Sequence, residues 1–141
     1  MSQENVEVVR RVFDSVNRGE WDTVLAAYSQ DTEWDDRDLR PEGAVYRGID
    51  AMVREMRAWI GTWANYWQEI EQIATDGDQV AVVIHESGEG KGSGAVMDQR
   101  IGALITVQDG LVVRTRLFRD PTEALKAVGL SEQDARGGKS S

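Results

Sequence analysis

Two periodicities divide the chain. Over residues 2–17 the apolar positions Val6, Val9, Val12, Phe13 and Val16 recur at helical spacing, and Ser2 stands where it can cap the first turn. NRGEW interrupts this pattern at Gly19, and Trp21, Leu25 and Tyr28 then mark one stripe of a second, short helix. DTEWDD, residues 31–36, reads as a short strand, followed by the irregular segment RDLRPEGAVYRG. From Ile49 to about Gly61 the helical period returns, with Met52, Met56, Trp59 and Trp63 spaced by four, three and four residues.

Beyond this point the period changes to two. Residues 66–75, 79–88, 95–107 and 111–119 read as four strands. Their turns are Asp76-Gly77, the glycine-rich GEGKGSG (88–94) and Asp109-Gly110, and the first and third are short enough to pair their strands antiparallel. DPTEALKAVGL closes the fold as a punctuated helix. Asp120 is its N-cap, Pro121 its first residue, Glu123 the partner in a capping box, and Gly129 its C-cap with Leu130 behind. Helices, an antiparallel sheet and one last helix define an α+β class. We expect one domain over residues 1–130 and a flexible tail at 131–141.

A curved sheet wrapped round the long helices buries one face of each strand, and alternation says which. In the last strand Val113, Thr115, Leu117 and Arg119 share one face, and Val112, Arg114, Arg116 and Phe118 the other. Burying two unpaired guanidiniums costs far more than placing one near a strand end. Arg114 and Arg116 are therefore expected outside, with Arg119 near the inner rim. Met97, Gln99, Ile101, Ala103, Ile105 and Val107 form the inward row of the preceding strand, with Asp98 and Arg100 outside. In strand 79–88 the more apolar row is Val80, Val82, Ile84 and Glu86, which sends His85 outward.

Composition removes several function classes. A net charge of −9 and a pI near 4.6 oppose nucleic acid or anionic membranes as partners, since phosphate contacts need a basic surface. With no cysteine there is neither a disulfide framework nor thiol chemistry. No apolar run resembles a signal or membrane-spanning segment, so a cytoplasmic location is expected. His85 is the single histidine and no ligand pair has zinc spacing, so no metal is expected. GEGKGSG lacks the Walker spacing and opens no helix, which leaves it a hairpin tip.

The succession VRRVFDSVNRGEWDTVLAAYSQDTEWDD, then PEGAVYRGIDAM, then ITVQDGLVVRTRLFRDPTEALKAVGL resembles the SnoaL-like polyketide cyclase branch of the NTF2-like superfamily over residues 4–130. The resemblance implies a cone-shaped sheet around helices with a pocket at the wide end, frequent homodimers, and cofactor-independent chemistry. Superfamily members include ketosteroid isomerase and limonene epoxide hydrolase, alongside proteins that only bind. Aligned on Gly19 and Tyr28, the resemblance places Asp36 at the isomerase's general base, with Trp34 two residues earlier on the same face. The isomerase's oxyanion donors fall on Val12 and Ala103, and an epoxide hydrolase aspartate falls on Leu117, so both constellations are incomplete.

The expected site joins two carboxylates, Asp36 as base and Glu86 as its acid partner, to a ligand-binding wall of Trp34, Tyr46, Met56, Trp59, Trp63, Gln99 and Arg119. A carboxylate walled by tryptophan loses hydration, which is what general acid–base work at neutral pH requires. Other readings of these residues stay open: a turn aspartate, a core stripe of Met and Trp, and a surface ion pair for Glu86. Two functions follow: a small isomerase, cyclase or lyase acting on a hydrophobic carbonyl compound, or a non-catalytic module that holds such a molecule. The outer sheet face, with Arg114, Arg116, Asp98, Arg100 and Phe118, is the expected homodimer contact.

Overall fold

The computed structural model describes residues 2–129. The cap expected from the Ser2 side chain, the contact at Leu130 and the tail at 131–141 lie outside the described residues. The elements are α1 (Ser2–Arg18), α2 (Trp21–Ala26), β1 (Tyr28–Asp35), β2 (Val45–Arg47), α3 (Ile49–Ile60), β3 (Trp63–Asp76), β4 (Gln79–Gly90), β5 (Val96–Gln108), β6 (Leu111–Phe118) and α4 (Pro121–Ala127). Tyr28 opens β1 instead of ending the second helix, and β2 forms inside the segment read as irregular. No helix among the described residues is long and apolar enough to cross a membrane.

The six strands form one sheet in the order β2-β1-β6-β5-β4-β3. β3 to β6 are an antiparallel meander, while β1 runs parallel to β6 and carries β2 antiparallel on its far side. Val8, Val9, Val12 and Val16 of α1 pack on the inner rows of the sheet with Val80, Val82, Ile84, Ile101, Ala103, Ile105 and Leu117. Burial of these aliphatic side chains, each worth about 1.5–3 kcal/mol, holds helix to sheet. The expected inner rows of β4 and β5 are thus the observed ones. At the end of α1, Asn17 donates from Nδ2 to the Gln68 carbonyl (2.8 Å) and accepts from the Gln68 amide (2.9 Å), so a side-chain amide stands in for a strand on the free edge of β3.

In β6 the alternation changes hand at a bulge. Thr106 pairs with Arg114 but Val107 with Val112, which leaves Val113 as the additional residue. Val112 is therefore buried in the main core and Val113 half-buried, the reverse of simple alternation, whereas Thr115 and Leu117 point inward and Arg114 and Arg116 outward as expected.

The outer face is partly covered. α4 lays Ala124, Leu125 and Val128 over Ala81, Val83 and Phe118, so Phe118 is buried beneath a helix and is not part of an exposed contact face. Asp120 caps α4 through the Thr122 amide (3.0 Å), but Glu123 bridges to Lys126 (3.5 Å) and no bond from its side chain to the cap completes a box. The close seat of α4 requires Gly102. A Cβ there would stand 2.9 Å from Pro121 Cα and 3.1 Å from Ala124 Cβ. Gly102→Ala is expected to lower stability by about 1–3 kcal/mol, the usual cost of overpacking. Urea unfolding checks this as a lower midpoint at unchanged slope.

Candidate functional site

Between α1, α3 and the inner face of the sheet lies a cavity of about 720 Å³, counting its mouth. Its walls are mostly apolar, from Val12, Phe13 and Val16 on α1 to Met56 and Ile60 on α3 and Ile101, Ile105 and Leu117 on the sheet. A concave, largely apolar wall with a few polar groups is the pattern of a small-molecule site. The polar side chains on the wall are few: Tyr28, Arg40, Glu55, Tyr66, Gln68, Glu86 and Thr115, with the indole N–H groups of Trp34 and Trp59.

Glu86 is the group the architecture serves most closely. It is 3% exposed, and its inward direction follows from the period of β4. Its Oε2 accepts from Trp59 Nε1 at 2.8 Å and from the Tyr66 hydroxyl at 2.5 Å, and its Oε1 accepts from Gln99 Nε2 at 2.8 Å. Gln99 stands opposite Glu86 on β5. Tyr66 reaches it because β3 bulges between Ala64 and Trp67, where Asn65 takes a φ of 55°. Gln68 Nε2 donates in turn to the Tyr66 hydroxyl (2.8 Å). A carboxylate offers about four acceptor positions, so one on Oε1 has no partner among the described residues.

Asp36 is 1% exposed, yet it is not among the residues lining the cavity. Its Oδ1 accepts from the Ala44 amide at 2.9 Å, and its Oδ2 lies 3.5 Å from Arg40 Nε. The carboxylate closes the loop from residue 36 to residue 44 and backs Arg40, and Arg40 is what faces the cavity. Its neighbour Asp35 does the same on the other side, held by Arg37 at 3.0 and 2.9 Å, which lowers its pKa below the usual carboxylate value.

The ligand wall read from the sequence is brought together in part. Trp34, Met56 and Trp59 line the cavity. Trp63 packs edge-to-face on Trp59, ring centroids 5.3 Å apart, and Gln99 acts through Glu86; neither lines it. Tyr46 stands opposite Trp34 on β2, outside the lining. Arg119 is exposed beyond the end of β6, its guanidinium 3.5 Å from the Leu39 carbonyl. His85 faces outward, 2.7 Å from Asp98. Tyr28, Arg40, Glu55, Tyr66, Gln68 and Thr115 are additions. Alternation within β3 and β6 carried a signal for Tyr66, Gln68 and Thr115, but Arg40 sits in a loop without a period. Among the described residues no group of three or more His, Cys, Asp or Glu side chains could hold a metal ion.

A curved sheet closed over an α1 helix with a cavity between them is the architecture of NTF2-like, ketosteroid isomerase-like proteins. Solved structures agree. One from Jannaschia sp. CCS1, with the working name of a SnoaL-like polyketide cyclase, superimposes at TM-score 0.73 and 23% identity, covering 89% of this chain and 92% of its own. A ketosteroid isomerase-like protein from Catenulispora acidiphila, crystallised with trimethylamine, gives 0.70 at 15% identity (88% and 93% covered). An NTF2-like protein of unknown function from Burkholderia pseudomallei gives 0.73 at 18% (90% and 98%). The SnoaL-like domain family model matches residues 9–115, and the chain belongs to that family. No curated protein matches it in sequence.

The tyrosines give the site a pH signature. Burial raises the pKa of Tyr28 and, with the Glu86 charge, that of Tyr66; burial followed by Asp36 and Glu55 raises that of Tyr46. The folded state therefore holds these protons where an unfolded chain releases them near pH ~10. Their contribution is intact below that value and declines as pH rises above it. Ultraviolet titration should show the phenolate signal of Tyr28 and Tyr66 arising only together with loss of near-ultraviolet circular dichroism.

Proposed function

We propose that the cavity binds a small, largely apolar compound with a carbonyl or related oxygen and acts on it by cofactor-independent acid–base chemistry: isomerisation, cyclisation or elimination. The observation that carries this reading is Glu86, a buried carboxylate on the cavity wall with one acceptor position left for a ligand. A proton on the carbon beside the carbonyl would pass to Glu86, the C–H pair would become the enolate C=C bond, and the carbonyl π pair would move onto the oxygen. Asp36, the base that the family resemblance implies, takes a positioning role here, because its oxygens are engaged by the Ala44 amide and Arg40.

One observation favours a second reading, in which the same ligand is bound without turnover. Glu86 already accepts three hydrogen bonds from protein side chains, which hold it as a fixed polar contact for a bound molecule. Native mass spectrometry of the purified protein identifies a bound compound by mass. With that compound, Glu86→Gln should retain binding while turnover falls by about two to four orders of magnitude, the usual share of general-base catalysis. Measurable binding with no turnover by the unaltered protein decides for the binding module.

The same proposal includes a homodimer through the outer sheet face. α4 leaves uncovered the part where Trp67 is 53% and Val96 77% exposed, beside Asp98 and Arg100. Arg114 and Arg116 stand outward on β6, the first 3.6 Å from Glu33 and the second stacked 4.9 Å over the Phe118 ring. Size-exclusion chromatography with light scattering should give about twice the 15.7 kDa chain mass, and Trp67→Glu should shift the protein to monomer.

A further inference from the structure

Arg40 is placed by a loop that closes tightly on itself. The Asp36 amide donates to the Ala44 carbonyl (3.2 Å), the Gly43 amide to the Arg40 carbonyl (2.9 Å), and the Ala44 amide to the Asp36 side chain (2.9 Å). A Cβ on Gly43 would fall 2.2 Å from the Asp36 carbonyl oxygen, so the loop closes on itself with no room for a side chain there. The arginine this loop delivers lies with its guanidinium 4.8 Å over the Trp59 ring, on the cavity wall.

Its donors are unspent. Arg40 Nε is buried and makes no hydrogen bond, and the 3.5 Å approach of Asp36 compensates charge without reaching bonding distance. The side chain is 31% exposed and lines the cavity, and among the described residues the terminal guanidinium nitrogens donate to no protein acceptor, so those donors are the ones left for a ligand. Thr115 Oγ1, on the same cavity wall, is also buried and unpartnered. The acidic residues of the cavity do not cancel this demand: Glu86 already accepts three hydrogen bonds, and Glu55 lies against Tyr46. Trp59 links the two polar centres, donating from Nε1 to Glu86 while its face carries Arg40.

Resting on the reading of the cavity as a ligand site, we propose that Arg40 receives a negatively charged oxygen of the bound molecule. The ligand class is then an apolar ring compound bearing a carboxylate, or an enol or phenol ionised on the protein. In a carbonyl substrate, the oxygen that gains charge as the neighbouring C–H proton passes to Glu86 would lie against Arg40. This supplies an oxyanion partner from a different element than α1 and β5, where Val12 and Ala103 have none to offer.

Three probes of one size test this: naphthoate, naphthol and acetonaphthone, titrated into the full chain near neutral pH with tryptophan fluorescence or calorimetry as readout. Naphthoate, or naphthol bound as its naphtholate, should bind at least about tenfold more tightly than acetonaphthone, a difference of about 1.4 kcal/mol. A naphthoate preference assigns a standing carboxylate, and naphtholate emission assigns an ionised enol-type oxygen. In the double variant Asp36→Asn/Arg40→Met, which removes both charges and leaves neither unpaired, that preference should vanish. Equal binding of the three probes, or a preference that survives in the double variant, overturns the Arg40 assignment alone. If none of the three binds the unaltered protein, the ligand-site reading falls and this assignment with it.

Discussion

A carboxylate inside a protein is tolerated only when its neighbours replace the water it has lost. Glu86 meets that condition with donors drawn from three separate elements: Trp59 of α3, Tyr66 of β3 and Gln99 of β5. Each of those groups is in turn held in place. Trp63 packs on Trp59, Gln68 donates to Tyr66, and Asn17 of α1 grips the backbone of Gln68. Satisfying one charge thus couples the end of α3, the free edge of the sheet and the end of α1. The cavity exists in the space that this coupling keeps open, with apolar side chains supplying cohesion and the polar cluster supplying registry.

Whatever follows the period of a regular element was legible in the chain. The alternation of β4 places Glu86 inside and His85 outside, and Arg114 and Arg116 are outside because two guanidiniums are too costly to bury. Legibility stops where the backbone leaves its period. The bulge at Val113 reverses Val112, which simple alternation had placed outside. The stretch DDRDLRPEGA has no hydrophobic rhythm, so neither the engagement of Asp36 nor the arrival of Arg40 could be derived from spacing. Their positions depend on backbone hydrogen bonds across the loop, for which Gly43 was the one local sign. Family resemblance carried the fold further than the site, since it marks Asp36 by position and cannot say what its oxygens touch.

Membership of the SnoaL-like family fixes an architecture that serves many chemistries, so function depends on which few polar groups interrupt the apolar wall. In this chain the interruptions include a shared carboxylate on the sheet and an arginine from the loop before β2, with Val12 on α1 and Ala103 on β5 both aliphatic.

The parallel contact between β1 and β6 sets the order in which this frame can mature. Tyr28 and Trp34 pair with Val112 and Thr115, and Thr32 donates to the Val112 carbonyl from 80 residues away along the chain. β3 to β6, by contrast, pair through neighbouring hairpins. Closing so long a segment costs chain entropy before any contact repays it, which delays such contacts during folding. The hairpin meander can therefore assemble first, with β1 and the loop that bears Arg40 docking afterwards. A nascent chain would form the Glu86 half of the cavity from local pairings, and the arginine half would appear only once its first strand had found its last.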